Sequence, residues 1–204
     1  MTPFGWASLC VLVLYLAAFF AGSAMAARAA GRPVWLFARA TGAEARAAFG
    51  FRLSFGLALL GPLLLTAFPS IAGLDLLWSP HGLLAGLPGH LIAVAGAMLA
   101  FAAQMVMGAS WRVGVEQGAV GVLVTGGLYD LSRNPVFVGQ LVLLAGVALA
   151  IPSVPGAAAV GLFWWSATRQ IQSEERILAQ TLGQPYLQYL EAVPRWFGFR
   201  KGQA

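Results

Sequence analysis

Residues 136–168 read VFVGQLVLLAGVALAIPSVPGAAAVGLFWWSAT and contain no charged side chain. The run is too long for one membrane-spanning helix, which needs about 20 apolar residues. Pro152 and Pro155 fall near its middle, and proline stops a helix because it lacks the N–H donor and clashes with the preceding turn. The pattern therefore predicts a tight helical hairpin made of two short membrane spans.

Three further uncharged runs precede this hairpin. They are Trp6–Ala26, Leu53–Leu74 and His90–Ser110, and a link rich in proline and glycine separates the second from the third. A signal peptide cleaved near Ala26 is the alternative for the first run, but the residues before it carry no positive charge. We therefore predict an all-α polytopic membrane protein with about five transmembrane helices in a single domain, residues 1–204.

The composition of the chain agrees with a membrane protein. Of its 204 residues, 59% are hydrophobic and only 9% are charged, whereas a soluble domain carries about 25% charged residues. So few charged side chains are not enough to solvate the surface of a soluble domain. A disordered chain, a secreted disulfide scaffold and an ordinary cytosolic domain are therefore excluded, and the single cysteine cannot form an internal disulfide.

The charge distribution predicts the orientation of the spans. With five spans, all twelve basic residues fall on one side of the membrane, namely Arg28, Arg32, Arg39, Arg46, Arg52, Arg112, Arg133, Arg169, Arg176, Arg195, Arg200 and Lys201. The other side keeps Asp75, His81 and His90, too few ligands for a metal site. An excess of Lys and Arg marks the cytoplasmic face, which predicts N-out, C-in topology. The Ala-, Gly- and Arg-rich composition favours a bacterial inner membrane, and we expect neither nucleic acid nor metal as a partner.

Polar residues concentrate in the C-terminal half, at the predicted cytoplasmic face. Gly126 and Gly127 allow unusual backbone angles. Asn134 followed by Pro135 is typical of a helix N-cap and first helical position. The free N–H groups of such a helix end bind carboxylate or phosphate, and Arg133 adds a guanidinium beside them. The alternative is that Asn134 only caps the helix and Arg133 only marks the inside face.

Two acidic residues and a short helix follow the last predicted span. Glu174 and Glu175 are adjacent, so on a helix they differ by about 100°, and we expect one to enter a pocket while the other meets solvent. An exposed acidic pair is the alternative. Gly183 and Pro185 predict a helix end and a new helix start, which gives a cytoplasmic C-terminal helix with interfacial aromatic residues at Tyr186, Tyr189, Trp196 and Phe197.

The order of these motifs resembles a known family. Residues 123–139, with the pattern LVTxGxYxxxRNPxxVG, are similar to the isoprenylcysteine carboxyl methyltransferases and the related membrane phospholipid methyltransferases. Glu174-Glu175, then Gly183, Tyr186, Tyr189 and Pro194-Arg195, follow at the separation that this family has. The resemblance covers residues 100–197, the methyltransferase-like region, and leaves residues 1–99 as N-terminal helices without a relative.

The resemblance implies S-adenosylmethionine as methyl donor and an amphiphilic acceptor that enters from the lipid side. Carried over by position, it implies a donor site formed by Leu123, Val124, Gly127, Tyr129, Arg133, Asn134, Pro135, Glu175 and Tyr186. Glu174 matches the functional glutamate of the family. We expect Glu174 to hold the ammonium of the donor or to orient the acceptor, and Arg169 to anchor an acidic group of the substrate.

The chain departs from the isoprenylcysteine enzymes at three positions. Asn134 stands where they have histidine, Gln170 where they have arginine, and Phe137 where they have tyrosine. An arginine at the position of Gln170 suits a carboxylate substrate, so its absence argues against a prenylcysteine. The acceptor stays open among a phospholipid amine, a prenylated thiol acid, an isoprenoid or quinone-like lipid and a small hydrophobic thiol.

Two other classes remain alternatives. Membrane sterol reductases also have a polar cytoplasmic C-terminal site, but their NADPH carries extra phosphates and demands several Arg or Lys around it, and this half of the chain offers few. A small non-enzymatic membrane subunit would use the polar cluster only as a topology signal and would bind no donor.

Overall fold

The computed structural model describes residues 3–35, 41–78, 83–113 and 122–199. These residues form seven α-helices: α1 Pro3–Ala30, α2 Gly42–Ala67, α3 Leu83–Met107, α4 Leu128–Leu131, α5 Pro135–Ala150, α6 Val154–Leu182 and α7 Gln184–Ala192. Short 3-10 turns follow α2 and α3, at Pro69–Leu74 and Gly108–Ser110. Of the residues named above for topology or metal binding, Arg39, His81, Arg200 and Lys201 lie outside the described ranges.

Among the residues that the structure describes, three helices are long and apolar enough to cross a membrane. They are Pro3–Ala30, Gly42–Ala67 and the segment Gly86–Ser110. The helix α5 is apolar but has only 16 residues, and α6 becomes polar in its second half. The structure is therefore that of a helical membrane protein, and the count of five spans and their hairpin stays a prediction.

The helix limits correct several boundaries expected from the sequence. The predicted span Leu53–Leu74 begins earlier, at Gly42, and gives way to a 3-10 turn at Pro69. Pro88 lies inside α3 rather than in the link before it. Most important for the site, α6 continues past Thr168 as a single 29-residue helix, so the acidic pair lies on this helix and does not follow it.

Two helix pairs form most of the bundle. The helix α5 packs along α3, and α6 packs along α2. Gly139 lies against the backbone of Ala100, and Gly146 against that of Ala93, because small residues let membrane helices approach closely. The helices α3 and α5 are antiparallel, since residues later in α5 meet residues earlier in α3.

The two ends of the bundle differ in chemistry. At the end we call the far end, Ser8 Oγ lies 3.0 Å from His90 Nε2, and the Asp75 carboxylate accepts from the N–H of Val154 at 2.9 and 3.0 Å. The opposite end, which we call the cavity end, holds the C-termini of α1, α3 and α6 and the N-termini of α2 and α5. Every described basic residue lies in the half of the bundle toward the cavity end.

Candidate active site

A cavity opens at the cavity end of the bundle, between α3, α5, α6 and α7. The cavity and its open mouth hold about 920 Å³. Apolar and aromatic side chains make up most of its wall, and a few charged and amide groups converge on it. Its lining includes Phe19, Phe51, Met107, Trp111, Arg112, Val113, Leu123, Val124, Tyr129, Arg133, Asn134, Pro135, Val136, Phe137, Gln140, Gln170, Glu174, Glu175, Leu178, Leu182, Tyr186 and Tyr189.

The helix α6 supplies one stripe of this wall. Gln170, Glu174 and Leu178 line the cavity at intervals of four residues, the spacing that places side chains on one helix face. Arg169 is one residue away from that stripe, is exposed and does not line the cavity. The geometry therefore brings Gln170 to the site and gives no support to the role predicted for Arg169.

Glu174 is a partly buried carboxylate on the cavity wall. Burial raises its pKa, while the charge of Arg112 and a hydrogen bond from the Gln170 side chain lower it, and the neighbouring charge of Glu175 raises it further; the net shift is upward. Among the described residues none forms an ion pair with Glu174. A carboxylate in this environment attracts a cation, because a bound positive charge offsets the cost of its desolvation.

Glu175 also lines the cavity, but its charge is paired. Its Oε1 lies 2.7 Å from Arg133 Nη2, and its Oε2 lies 2.5 Å from Arg195 Nη2. Burial alone would raise the pKa of Glu175, but the hydrogen bonds from Arg195 and Arg133 outweigh it and lower the pKa. Both glutamates therefore lie on the cavity wall, and two arginines bind the carboxylate of Glu175.

Arg133 also holds the last residues of α7 and the segment that follows it, residues 190–198, which we call the C-terminal strap. Arg133 Nη1 donates to the carbonyls of Leu190 and Val193 at 2.7 and 2.6 Å, and its backbone N–H donates to Pro194 O at 2.9 Å. Gly198 N in turn donates to Leu131 O. The guanidinium of Arg133 is thus committed to Glu175 and to the strap, although its Nε has no partner.

The start of α5 confirms one prediction and modifies another. Asn134 is the N-cap and Pro135 is at the first turn of α5. The Asn134 side chain does not cap the helix; its Nδ2 donates to Arg195 O at 2.9 Å, and Ser132 Oγ accepts from the Asn134 N–H at 3.0 Å. Asn134 therefore links the helix start to the strap.

The loop before α4 forms another part of the wall. Gly126 and Gly127 have φ angles of 93° and 57°, which confirms the unusual backbone predicted for them. Leu123 and Val124 line the cavity, whereas Gly127 does not. The Tyr129 side chain is buried, and its hydroxyl donates to Ala103 O at 3.2 Å.

The helix α7 contributes two tyrosines to the wall. Gly183 has a φ of 61° and α7 follows it directly, as the Gly183 and Pro185 pattern predicts. Tyr186 is buried and lines the cavity, and Tyr189 donates from its hydroxyl to Tyr129 O at 2.7 Å. Burial raises the pKa of Tyr129 and of Tyr186, so both hydroxyls stay protonated. Of the predicted site residues, all except Arg169 and Gly127 are brought together, and their roles stay predictions.

Sequence reasoning missed two polar residues of the wall. Arg112 counted only as a topology signal, but it lines the cavity and its buried Nε has no partner. Gln140 lies within an apolar helix and is 1% exposed. A lone amide inside an uncharged run was the available signal, since polar groups within such segments are rare unless they are used.

Within the described ranges no group of three or more His, Cys, Asp or Glu side chains could hold a metal ion. The predicted absence of a metal stays a prediction.

Fold and cavity together define a helical membrane protein with a carboxylate-bearing pocket at one end of its bundle. Residues 86–185 match the family model of phospholipid methyltransferases, and this part of the chain is similar to that methyltransferase family. The match runs from α3 to the start of α7, so it includes Arg112, Gln140 and Glu174. No curated protein matches the chain. The family predicted from the motifs is confirmed, and the match does not favour the reductase or the non-enzymatic subunit.

Proposed function

We propose that the chain is an S-adenosylmethionine-dependent methyltransferase that acts on a lipophilic or amphiphilic acceptor at the cytoplasmic face of a bacterial inner membrane. The observation that carries the proposal is Glu174, a carboxylate without an ion-pair partner in the described chain, on the wall of a largely apolar cavity. A cationic donor meets the opposite charge there, and an apolar acceptor meets apolar wall.

The polar groups of the cavity fit such a donor. Its amino-acid part carries an ammonium and a carboxylate, and the cavity offers Glu174 for the first and Arg112, with its unpartnered Nε, for the second. Arg133 is less available, because Glu175 and the strap already bind it. Leu123, Val124 and Tyr129 supply the apolar wall for the rest of the donor. S-adenosylmethionine, when bound, supplies an activated methyl group.

The task of the protein residues is alignment and exclusion of water. A displacement at a methyl group needs the reacting atoms in line, and holding them so is the main contribution that a protein can make. Glu174 is proposed to hold the donor ammonium or to orient the acceptor. The aromatic residues Phe51, Phe137 and Trp111 keep water from that region, and Tyr186 with α7 closes the cavity on its outer side.

The proposed orientation puts the cavity end in the cytoplasm. All described basic residues lie in that half of the bundle, and Asp75 and His90 lie at the far end, the distribution that the positive-inside rule describes. A fluorescent protein that folds only in the cytoplasm, fused after Ala204, should fluoresce. A fusion protein that is expressed normally but does not fluoresce would show that the orientation is the opposite one.

The test of the activity class is calorimetric titration of the detergent-purified protein with S-adenosylhomocysteine and, separately, with NADPH. We expect micromolar binding of S-adenosylhomocysteine that Glu174→Ala or Tyr129→Ala removes. Clear binding of NADPH alone would support the reductase, and silence for both ligands would support the non-enzymatic subunit.

Glu174→Gln tests the role of the charge. It keeps the shape of the side chain and removes the negative charge, so methyl transfer should fall more than tenfold, which corresponds to about 1.4 kcal/mol. The matched control is Glu191→Gln, because Glu191 is exposed on α7. Wild-type turnover in Glu174→Gln would reject the assignment of Glu174.

A further inference from the structure

Two glutamines on the cavity wall each have a buried side-chain oxygen without a partner. Gln140 on α5 is 1% exposed and Gln170 on α6 is 7% exposed, and both line the cavity. The Oε1 atom of each has no hydrogen-bond partner. Buried polar atoms in proteins are nearly always paired, and an unpaired one costs about 1–3 kcal/mol. Two such oxygens on one cavity point to a ligand that pairs them.

The other end of each amide is already occupied. Gln140 Nε2 donates to the Tyr15 hydroxyl at 2.8 Å, and the Gln170 side chain hydrogen-bonds the carboxylate of Glu174. The Gln170 amide cannot be reversed without placing its oxygen against that carboxylate, and two acceptors repel each other. The group that Gln170 offers to a ligand is therefore its carbonyl oxygen, a hydrogen-bond acceptor.

The surroundings of the glutamines are apolar. Phe51, Phe137 and Val136 line the same cavity as the two glutamines, and Phe51 and Phe137 pack against Phe163 in the core. Of the described cations on the wall, Arg133 is paired with Glu175, and Arg112 is assigned above to the carboxylate of the donor. The rest of the cavity thus offers acceptors and apolar surface.

From this arrangement we propose that Gln170 and Gln140 form a recognition subsite for the methyl acceptor, and that it takes a lipophilic molecule whose head group carries an N–H or O–H donor in preference to a carboxylate. The inference rests on the proposed function, because it assigns the second ligand of the same cavity. A head-group donor pairs the orphaned oxygens, whereas a carboxylate would bring a third acceptor to them and lose its own hydration.

The test measures binding and uses three probes of equal chain length: dodecylamine, dodecanol and dodecanoic acid. The full chain is reconstituted in lipid nanodiscs, saturated with S-adenosylhomocysteine, and titrated with each probe while Trp fluorescence is recorded, since Trp111 lines the cavity. We expect dodecylamine and dodecanol to bind at least tenfold more tightly than dodecanoic acid. Dodecanol carries no charge, so its affinity reports hydrogen bonding to the amide oxygens without the attraction of Glu174 for a cation.

Two variants of Gln170 decide whether the amide is responsible. Gln170→Leu keeps the approximate size and removes the acceptor, so the affinity for dodecanol should fall at least fivefold, and by more than the affinity for S-adenosylhomocysteine, while the unfolding temperature holds. Gln170→Arg introduces a donor fork that suits carboxylates, so the preference should shift to dodecanoic acid. Gln172→Leu is the matched control, because Gln172 is exposed on the outer face of α6.

The outcomes separate this inference from the proposed function. Equal binding of the alcohol and the acid by the wild type, with no change in Gln170→Leu, would overturn the subsite even if S-adenosylhomocysteine binds. Absence of S-adenosylhomocysteine binding in the same titrations would instead overturn the proposed function. If Gln170→Leu does not fold, a shift of the preference between dodecanol and dodecanoic acid in Gln170→Arg or in Gln140→Leu decides whether the subsite exists.

Discussion

The contact between α3 and α5 and the contact between the C-terminal strap and the start of α5 hold the same helix by opposite means. Along α3, glycine and alanine bring backbone against backbone, and a Cβ added at Gly139 would stand 2.7 Å from Gly96 O. At the strap, Glu175, Arg133 and Arg195 hold the chain through charged hydrogen bonds. The first contact contains no group that titrates, and the second includes one ionised carboxylate and two arginines.

The difference shows which part of the site can respond to conditions. Close packing of small residues depends on shape, so salt and pH leave it unchanged, and a single added methyl group disrupts it. Charged hydrogen bonds at a partly open surface tolerate changes of shape but depend on charge. The contact between α3 and α5 therefore depends on shape, whereas the strap, which Arg133 of the cavity wall binds, depends on charge. The predictions below test this contrast.

Gly139→Ala should give the largest effect. The added Cβ collides with backbone atoms of Gly96 and Ala100, which no rotamer relieves, so the free energy of unfolding should fall by about 3 kcal/mol, the upper range for overpacking. The measurement is thermal unfolding in detergent. The control is Gly161→Ala on α6, where the Cβ meets nothing within 4 Å and helix propensity predicts a gain of up to about 1 kcal/mol. Equal effects of the two variants would refute a sterically closed interface.

Glu175→Gln should give the next effect. It leaves Arg133 and Arg195 without their carboxylate, and hydrogen bonds to charged groups contribute about 1.5–3 kcal/mol when partly buried. We expect a loss of about 2 kcal/mol in stability together with weaker binding of S-adenosylhomocysteine, because Glu175 itself lines the cavity. Glu191→Gln again serves as the control. A stability unchanged from that control would show that the pairs contribute nothing.

Lower pH should weaken donor binding before it opens the strap. The raised pKa of Glu174 means that this carboxylate takes up its proton above the ordinary value near 4.5, so its attraction for a cation is lost early as the pH falls. Its protonation also removes an unfavourable buried charge, so this group does not destabilise the fold there. The lowered pKa of Glu175 has the opposite sign: its stabilisation is present above the unfolded pKa and is lost only below that value.

The measurement for this prediction is calorimetric titration with S-adenosylhomocysteine from pH 7.5 down to pH 5, with unfolding temperatures recorded in parallel. The affinity should fall in the wild type and stay flat in Glu174→Gln. If the affinity and the unfolding temperature fall together at one pH, the two carboxylates titrate as one unit and the assignment of opposite shifts fails.

Asn134→Ala should give the smallest effect. It removes one neutral hydrogen bond, from Nδ2 to Arg195 O, worth about 1 kcal/mol, and leaves the contacts of Gly139 and Gly146 untouched. The unfolding temperature should drop by a few degrees. A drop as large as that of Gly139→Ala would mean that the strap, too, is held chiefly by shape.

The sequence predicted the parts of the site that local chemistry determines. Asn134 and Pro135 begin α5 and Gly183 ends α6, because caps and breaks depend on a few neighbouring residues. Helical membrane architecture followed from composition. The acceptor side was less accessible: Arg169 was assigned because it is next to Gln170, the position where the family has arginine, whereas α6 turns Gln170 toward the cavity and leaves Arg169 exposed. One residue on a helix is a rotation of about 100°, so a neighbouring side chain does not replace the expected one.

The remaining errors concern contacts between distant segments. Glu175 pairs with Arg195, twenty residues later, and Arg133 binds carbonyls of Leu190 and Val193. Nothing in the local pattern distinguishes these partners from solvent-exposed charges, since the pairing exists only when the strap folds back on the start of α5. Gln140 was missed for the same reason, because its partner Tyr15 lies on α1.

The unbroken helix α6 also determines the distance between the far end of the bundle and Glu174. Twenty residues separate Val154, held at the far end by Asp75, from Glu174, and at 1.5 Å per residue they measure about 30 Å, the thickness of the hydrocarbon core of a bilayer. In the proposed orientation the depth at which the carboxylate meets the head-group layer is therefore set from the opposite leaflet. A thinner or thicker bilayer would change the depth of Glu174 relative to the head-group layer. The thickness of the bilayer would then influence which acceptors reach the reacting position.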